Sequence, residues 1–318
     1  MSKIKELQLS SDIRGIAIGT EEFDATLTVE ESRLIASAFV KWLQKRYPSK
    51  NISELIVGIG RDSRISGPDL TKEFIKVLSA FGVHVIDFEM ATTPSMFMAT
   101  QFEEFNCDAT VMFTASHLPY YYNGLKFFTR EGGLESSDIR DIIGLVDEKE
   151  ELSQGPVSSI EVKSIFERYS HHLVELIRKG SQSEKEKPLE GLHIIVDAGN
   201  GAGGFFAKSV LEELGAKTEG SQFLDPDGTF PNHIPNPDNK EAMESIKKQV
   251  LAVNADYGVI FDTDVDRAAV VTGSGELLNR NNLIAVLSVI VISEHPGTTI
   301  VTNSPTTEHL KKFIMKLG

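Results

Sequence analysis

The sequence predicts an α/β protein made of serial related domains, each a mixed, largely parallel sheet covered by helices. Three observations carry that expectation. The order strand, polar loop, helix recurs along the chain, and strands alternating with helices of this length form sheets with their functional loops at the carboxyl ends of strands. The length, 318 residues, exceeds the soft range of about 100 to 200 residues for one domain, which makes two domains the expectation and allows a third partial one. Hydrophobic residues make up 41% and charged residues 25%, ordinary proportions for a folded chain with a sizeable core.

The elements follow in order. A helix is predicted from Thr28, because Thr28 and Glu31 have capping-box spacing and Leu34, Ile35, Ala38, Phe39, Trp42 and Leu43 repeat at helical period; Pro48 stops it. A strand at 55–60 leads into a polar loop at 61–67. A second helix opens at Pro68, with Leu70, Phe74, Val77, Leu78 and Phe81 on one face and Gly82 as its cap. The same order returns in LHIIVDAGNG, which precedes a helical stretch at 205–214, and in TTIVTNSPTT, a strand expected before the final helix EHLKKFIMKLG. The polar run SQSEKEKP at 181–188 reads as an exposed loop between the helix 165–178 and the strand at His193. A domain junction is expected around 152–159, where Ser, Gly and Pro interrupt both periodic patterns. The expected domains are therefore 1–154, 155–278 and a partial third at 279–318.

The formal net charge of -14 repels a phosphate backbone, so no nucleic-acid partner is expected, and any phosphate site must be built from a few focused Arg and Lys residues, backbone N–H groups or a bound cation. Cys107 is the only cysteine, so no internal disulfide can form; a reducing compartment, cytoplasmic or organellar, is expected. The N-terminus lacks a long apolar run, and the longest one, near 283–292, is too short to span a bilayer, so no membrane partner is expected.

Four constellations carry chemistry. FDTDVDRAAVV places Asp262, Asp264 and Asp266 at alternate positions after an apolar strand, followed by Arg267. Three carboxylates this close raise one another's pKa unless a cation or several donors compensate them, and a hard divalent ion, Mg2+ above all, suits oxygen ligands. An EF-hand is excluded, since its sixth position would be Arg267 and its twelfth Gly273. The competing reading is a solvated acidic turn. VMFTASHLPYYYNGLKFF presents Ser116 and His117 on a turn, with Lys126 ten residues after Ser116. Ser116 is a candidate nucleophile, and His117 or Lys126 could move a proton. Taken alone, such a pair is more often an ordinary turn.

Arg14, Arg61 and Arg64 lie on loops near expected strand ends, where Arg favours bidentate phosphate contact. Asp62 could equally pair with Arg61 or Arg64, and the two readings stand even. Gly199, Gly201 and Gly204 satisfy a dinucleotide fingerprint with Glu219 about twenty residues on, yet Asp197 is unhelpful near a pyrophosphate. A tight strand-to-helix turn is the preferred explanation of these glycines, with an NAD-linked oxidoreductase as the weaker one.

Taken together, DIRG, GRDSR with SGP, TASH-x-P followed by NG-x-K, DAGNGAG, PDGTFPNHIPNP and the Asp-x-Asp-x-Asp-Arg loop occur in the order seen in the α-D-phosphohexomutase superfamily, which the chain resembles along nearly its whole length. The resemblance implies that Ser116 is the phosphorylated serine and that Asp262, Asp264 and Asp266 bind one Mg2+ together with it. It further implies that Arg267 lies beside the phosphoserine, that Arg14 faces phosphate, and that His117 and Lys126 serve proton transfer. The implied reaction interconverts hexose 1-phosphate and hexose 6-phosphate through a hexose 1,6-bisphosphate that also activates the enzyme; the expected partner is a small sugar phosphate. Leu118 stands where the family usually has Asn, and Thr263 and Val265 stand where its metal loop has small residues. The family's sugar-selecting and distal phosphate-binding loops belong to third and fourth domains, and the third is expected to be truncated at Gly318. The alternative expectation is therefore a catalytically impaired paralogue that binds sugar phosphate or a protein partner.

Overall fold

The computed structural model describes residues 3–147, 158–278, 280–302 and 306–318. A short hairpin, β1 (Gln8–Leu9) and β2 (Asp12–Ile16), precedes α1 (Val29–Arg46). The helix starts where the capping box places it: Thr28 Oγ1 accepts from the Glu30 N–H, and Glu31 Oε2 accepts from the Thr28 N–H at 2.9 Å. Then come β3 (Ile56–Arg61), α2 (Gly67–Ala80), β4 (His84–Met90), α3 (Thr93–Gln101), β5 (Ala109–Phe113), β6 (Tyr122–Thr129), β7 (Gly132–Gly133) and α4 (Ser136–Gly144). Gly82 ends α2 with φ +92°, a conformation that costs Gly little. After β8 (Ile160–Val162) and α5 (Phe166–Gly180) follow β9 (Ile194–Asp197), α6 (Lys240–Val253), β10 (Tyr257–Phe261), β11 (Ala268–Thr272), β12 (Leu277–Leu278), α7 (Arg280–Glu294) and α8 (Glu308–Leu317).

The strands form two mixed sheets. In the first, ordered β1-β2-β6-β5-β3-β4-β8, the run β5-β3-β4-β8 is parallel while β1, β2, β6 and β7 pair antiparallel. In the second, ordered β12-β11-β10-β9, the β9–β10 pair is parallel and the outer pairs are antiparallel. The alternation of side chains across β3 and β5 divides the first core in two. Phe39, Phe74, Val57, Phe113 and Phe127 pack under α1 and α2, and Phe88, Met96, Phe105 and Met112 pack on the other face with Ile165 and Tyr169. The second sheet buries Ile195, Ile260 and Val271 against Ile246 and Val250 of α6.

The expected 154/155 break lies outside the described residues; after it, β8 pairs with β4 in parallel, Val85 opposite Ile160, so the first sheet includes β8. One expectation changes. The expected strand before α8 does not form in its described part, 298–302: Val301 is 88% exposed and pairs with no strand among the described residues. The loop 181–187 is exposed, as its composition predicts. Among the described residues no helix is long and apolar enough to cross a membrane.

Candidate active site

The site forms where the end of β5 meets the end of β10. All five residues of β5 are buried, and the chain leaving it turns sharply, with Ser116 at φ +52°, a region that non-glycine residues seldom occupy. The Ser116 N–H donates to Thr114 Oγ1 at 2.9 Å, a local turn that satisfies a buried donor. Arg64 braces the rest. Its Nη2 donates to the carbonyls of Ser116 at 2.5 Å and Leu118 at 2.7 Å, its Nη1 to those of Pro119 at 2.7 Å and Tyr122 at 3.0 Å, and its Nε to Asp62 Oδ2 at 3.2 Å.

A guanidinium has five N–H donors, and here all are committed. Of the two readings open for Arg64, phosphate contact or pairing with Asp62, the structure shows the second: it is a fully buried frame for the serine loop, paired with Asp62. Asp62, buried beneath it, has its carboxyl pushed up by that burial against the opposing pull of Arg64. Arg61 leans toward Asp87 and Glu89, each 3.7 Å away, and among the described residues no contact joins it to Ser116. Arg14 does reach the loop. Its Nη1 donates to the Ala115 carbonyl at 3.4 Å and its Nη2 to Asp12 at 2.8 Å, while its buried Nε has no partner among the described residues.

The acidic loop begins as β10 ends. The Asp262 N–H donates to the Arg267 carbonyl at 3.2 Å, and the Arg267 N–H returns to Asp262 Oδ1 at 3.1 Å, closing the loop on itself. Val265 at its tip has φ +62°, a strained position for a β-branched residue. Donor oxygens of Asp262, Asp264 and Asp266 lie within 4.8 Å of one another. Ser116 Oγ donates to Asp262 Oδ2 at 2.9 Å, and Lys126 Nζ donates to Asp264 Oδ2 at 2.7 Å and Asp266 Oδ2 at 2.6 Å. Arg267 Nη1 meets His117 Nδ1 at 2.8 Å. The structure thus brings Ser116, His117, Lys126, Arg267, Arg14 and the three aspartates together, and leaves Arg61 and Arg64 in other roles.

The electrostatics follow from burial and crowding. Asp262 is pushed up to about 8, by burial first and then by the charges of Asp264 and Asp266. Burial would raise Asp264 too, but Lys126 and Thr93 hold it below the usual carboxylate range. Burial lowers Lys126, but the same two aspartates raise it above its ordinary value, so it stays charged. His117 is lowered by burial, Arg267 and Arg14, which keeps the imidazole neutral. Lys126 bonds Asp264 and Asp266, and Arg267 Nε lies 3.9 Å from Asp262 and Asp266, yet Asp264 Oδ1 is left buried with no hydrogen-bond partner among the described residues. An all-oxygen donor set with an orphaned carboxylate oxygen fits a hard divalent cation.

Sequence reasoning missed several contributors. Thr93, from the start of α3, donates its hydroxyl to Asp264 Oδ2 at 2.5 Å and its N–H to the Asp264 carbonyl at 2.9 Å. The Pro94 after it was a helix-start signal, but nothing local points to Asp264. Gly228 approaches the loop of Arg64 so closely that a Cβ there would lie 2.3 Å from the Ser63 carbonyl oxygen, and the Phe230 ring faces the Arg64 guanidinium at 5.3 Å. The glycines of DAGNGAG serve the same kind of contact. A Cβ on Gly201 would lie 2.7 Å from the Thr263 carbonyl oxygen, so these glycines allow the turn to pack on the acidic loop. Asp197 is buried and committed to His233, Gln222 and the Gly199 N–H, an arrangement unlike a ribose-facing dinucleotide site.

Residues 5–153 match the model of phosphoglucomutase/phosphomannomutase alpha/beta/alpha domain I, and residues 167–275 that of domain II. The chain is 33% identical over 309 residues to a phosphomannomutase/phosphoglucomutase of Pseudomonas aeruginosa, covering 96% of this chain and 61% of that protein. It is 30% identical over 308 residues to a phosphoglucomutase of Neisseria meningitidis, covering 96% and 62%. A phosphoglucomutase/phosphomannomutase family protein of Burkholderia thailandensis superimposes with a TM-score of 0.82 at 28% identity, over 100% of this chain and 65% of that one. The chain thus spans about three fifths of the length of the curated relatives it matches.

Proposed function

The chain belongs to the phosphoglucomutase/phosphomannomutase family of α-D-phosphohexomutases, and from that premise we propose that it is a phosphotransferase interconverting hexose 1-phosphate and hexose 6-phosphate through phosphorylated Ser116. The observation that carries the reading is the Ser116 Oγ to Asp262 Oδ2 contact of 2.9 Å, which sets a buried nucleophile against a carboxylate cluster with an unanswered oxygen. Asp262, Asp264 and Asp266, with Ser116, are the residues to hold Mg2+. Bound there, the cation supplies positive charge to offset a phosphoryl group, whose charge of about -1.5 to -2 is otherwise intolerable beside three aspartates.

The remaining chemistry falls to side chains. As the sugar hydroxyl oxygen forms its bond to phosphorus, the bond from phosphorus to Ser116 Oγ breaks, and the hydroxyl proton leaves to a base. Neutral His117 takes that proton once its Nδ1 lone pair turns away from Arg267 Nη1, 2.8 Å off; burial and Arg267 keep the ring unprotonated. Arg267 and Arg14 add fixed positive charge where the equatorial oxygens spread theirs, and Arg14 offers an uncommitted buried Nε–H. Lys126, kept cationic, supplies the proton that Ser116 Oγ takes up as it leaves phosphorus; on the return step, when the other phosphoryl of the bisphosphate passes back to Ser116 Oγ, the serine proton returns to Lys126 and protonated His117 gives its proton to the sugar oxygen that is released. The relatives' names point to glucose and mannose phosphates as the substrates to test, in carbohydrate metabolism.

The test is intact mass and phosphopeptide mapping after incubation with glucose 1,6-bisphosphate and Mg2+. Phosphate on Ser116 that depends on Mg2+ and disappears in Ser116→Ala supports the proposal. No phosphate under any condition overturns it in favour of a sugar-phosphate or protein binder without turnover.

A further inference from the structure

We infer that Thr93 is a positioning residue for the cation site, selecting which oxygen of Asp264 is offered to the ion. The inference rests on the reading of the 262–266 loop as that site. Asp264 is fully buried and its two oxygens are treated differently: Oδ2 accepts from Thr93 Oγ1 at 2.5 Å and Lys126 Nζ at 2.7 Å, whereas Oδ1 has no partner among the described residues. A rotation of the carboxylate would exchange the two oxygens, so whatever opposes that rotation decides the ligand set.

Lys126 is a poor candidate for the task, because its ammonium ends a flexible stem and is shared with Asp266 at 2.6 Å. Thr93 is a good one. Its β-branched side chain has restricted χ1. It also holds Asp264 at a second point, its N–H donating to the Asp264 carbonyl at 2.9 Å, so one residue grips both backbone and carboxylate. The position adds direction: Thr93 is the first residue of α3, capped by Thr92, and the helix start favours a carboxylate there.

The grip also crosses the molecule. Thr93 follows β4 of the first sheet, and Asp264 follows β10 of the second, so cation affinity depends on how the sheets meet. Ser116 comes from the first sheet and its partner Asp262 from the second. The same seam that aligns nucleophile and carboxylates therefore sets the donor oxygens.

The test is titration of the full chain with Mn2+ alone, read by calorimetry and by the EPR signal of the free ion, with circular dichroism verifying the fold of each variant. In Thr93→Val, which keeps the volume and loses the hydroxyl, Mn2+ affinity is expected to fall about 10- to 100-fold, the usual effect of losing the hydrogen bond behind a metal ligand. Thr93→Ser, which restores the hydroxyl, is expected to bind close to the parent. If Thr93→Val does not fold, Thr93→Cys, with only a weak donor, carries the same expected loss. Parental affinity in a folded Val or Cys variant overturns the inference alone. Failure of the parent to bind Mn2+ removes both the inference and the metal reading beneath it.

Discussion

Arg64 Nη2 donates to the Ser116 carbonyl oxygen at 2.5 Å, so the backbone of the candidate nucleophile hangs from a buried guanidinium. Three further carbonyls of the same loop, those of Leu118, Pro119 and Tyr122, take the neighbouring donors, and Asp62 takes the last. The strained φ of Ser116 persists because the loop is over-determined from one side. Leu118 departs from the resembled family at its side chain, while its carbonyl, the group Arg64 uses, is common to all residues.

Arg64→Leu is accordingly expected to destabilise the chain by about 3 to 5 kcal/mol, because it leaves Asp62 buried without its counter-charge and takes a donor from each of four carbonyls. Arg64→Lys is expected to recover little, since an ammonium cannot reproduce a planar five-donor fork. Urea denaturation followed by circular dichroism measures both. A loss within about 0.5 kcal/mol, the range of an ordinary surface substitution, would contradict the bracing role.

The pKa of Asp262, raised to about 8, gives cation binding a pH signature. Below that value the carboxyl must release its proton before it can coordinate an ion, so apparent Mg2+ affinity is expected to rise about tenfold per pH unit up to about pH 8 and then level off. Without the ion the sign for folding is the reverse of the usual aspartate. The unfolded carboxyl ionises near pH 4 while the folded one keeps its proton, so stability in EDTA is expected to decline from about pH 4 toward pH 8 on account of this group. Calorimetric titration across pH 6 to 9 with Asp262→Asn as control measures the first effect; an affinity flat in pH would contradict it.

These residues also show what was legible in the sequence. Asp262, Asp264, Asp266 and Arg267 are separated by five positions, so their crowding could be read from spacing alone, as could the Thr28 and Glu31 cap of α1. Thr93 and Asp264 are 171 positions apart, and Arg64 lies 55 positions before Pro119. Contacts at such separation depend on how two sheets close on each other, which periodicity does not encode. For Arg64 the sequence leaves phosphate contact and pairing with Asp62 even, because an arginine on a loop looks the same whether its acceptors are ligand oxygens or groups of the protein. The pairing of β8 with β4 is equally long-range, Ile160 lying opposite Val85, and no local pattern announces it.

The close approach at Gly201 makes a sharp case, since a Cβ there would lie 2.7 Å from the Thr263 carbonyl oxygen and 2.8 Å from its Cα, both backbone atoms that cannot swing aside. Gly201→Ala is expected to displace the acidic loop and weaken Mn2+ binding, by a factor comparable to that expected for Thr93→Val, about 10- to 100-fold. Gly144→Ala, at the end of α4 with open space around it, is expected to be neutral or to stabilise by up to about 1 kcal/mol. Equal Mn2+ affinity in Gly201→Ala and the parent would show that the loop yields without cost. Neither variant is expected to alter binding of a nicotinamide dinucleotide, because the turn serves packing.

His233 clamps the turn after β9 from the other side. Its Nε2 lies 3.0 Å from Asp197 Oδ2 and its Nδ1 3.0 Å from the Ile234 carbonyl, so both ring nitrogens face acceptors, the arrangement that suits an imidazolium. Burial works to lower the pKa of His233, but the bond and charge of Asp197 outweigh it and leave the pKa above its ordinary value. A raised histidine stabilises the fold fully below the unfolded value of about 6.5, and the contribution is lost as pH rises through the folded value. The urea midpoint is thus expected to fall with rising pH above about 6.5, and His233→Gln is expected to flatten that segment while lowering stability at the acidic end. Since the clamped turn carries Gly201 against Thr263, loosening it also reaches the acidic loop, so the Mn2+ affinity of His233→Gln is expected to drop even at a pH where Asp262 is ionised. A histidine variant with the parental midpoint at every pH would show that the pair is neutral and the clamp dispensable.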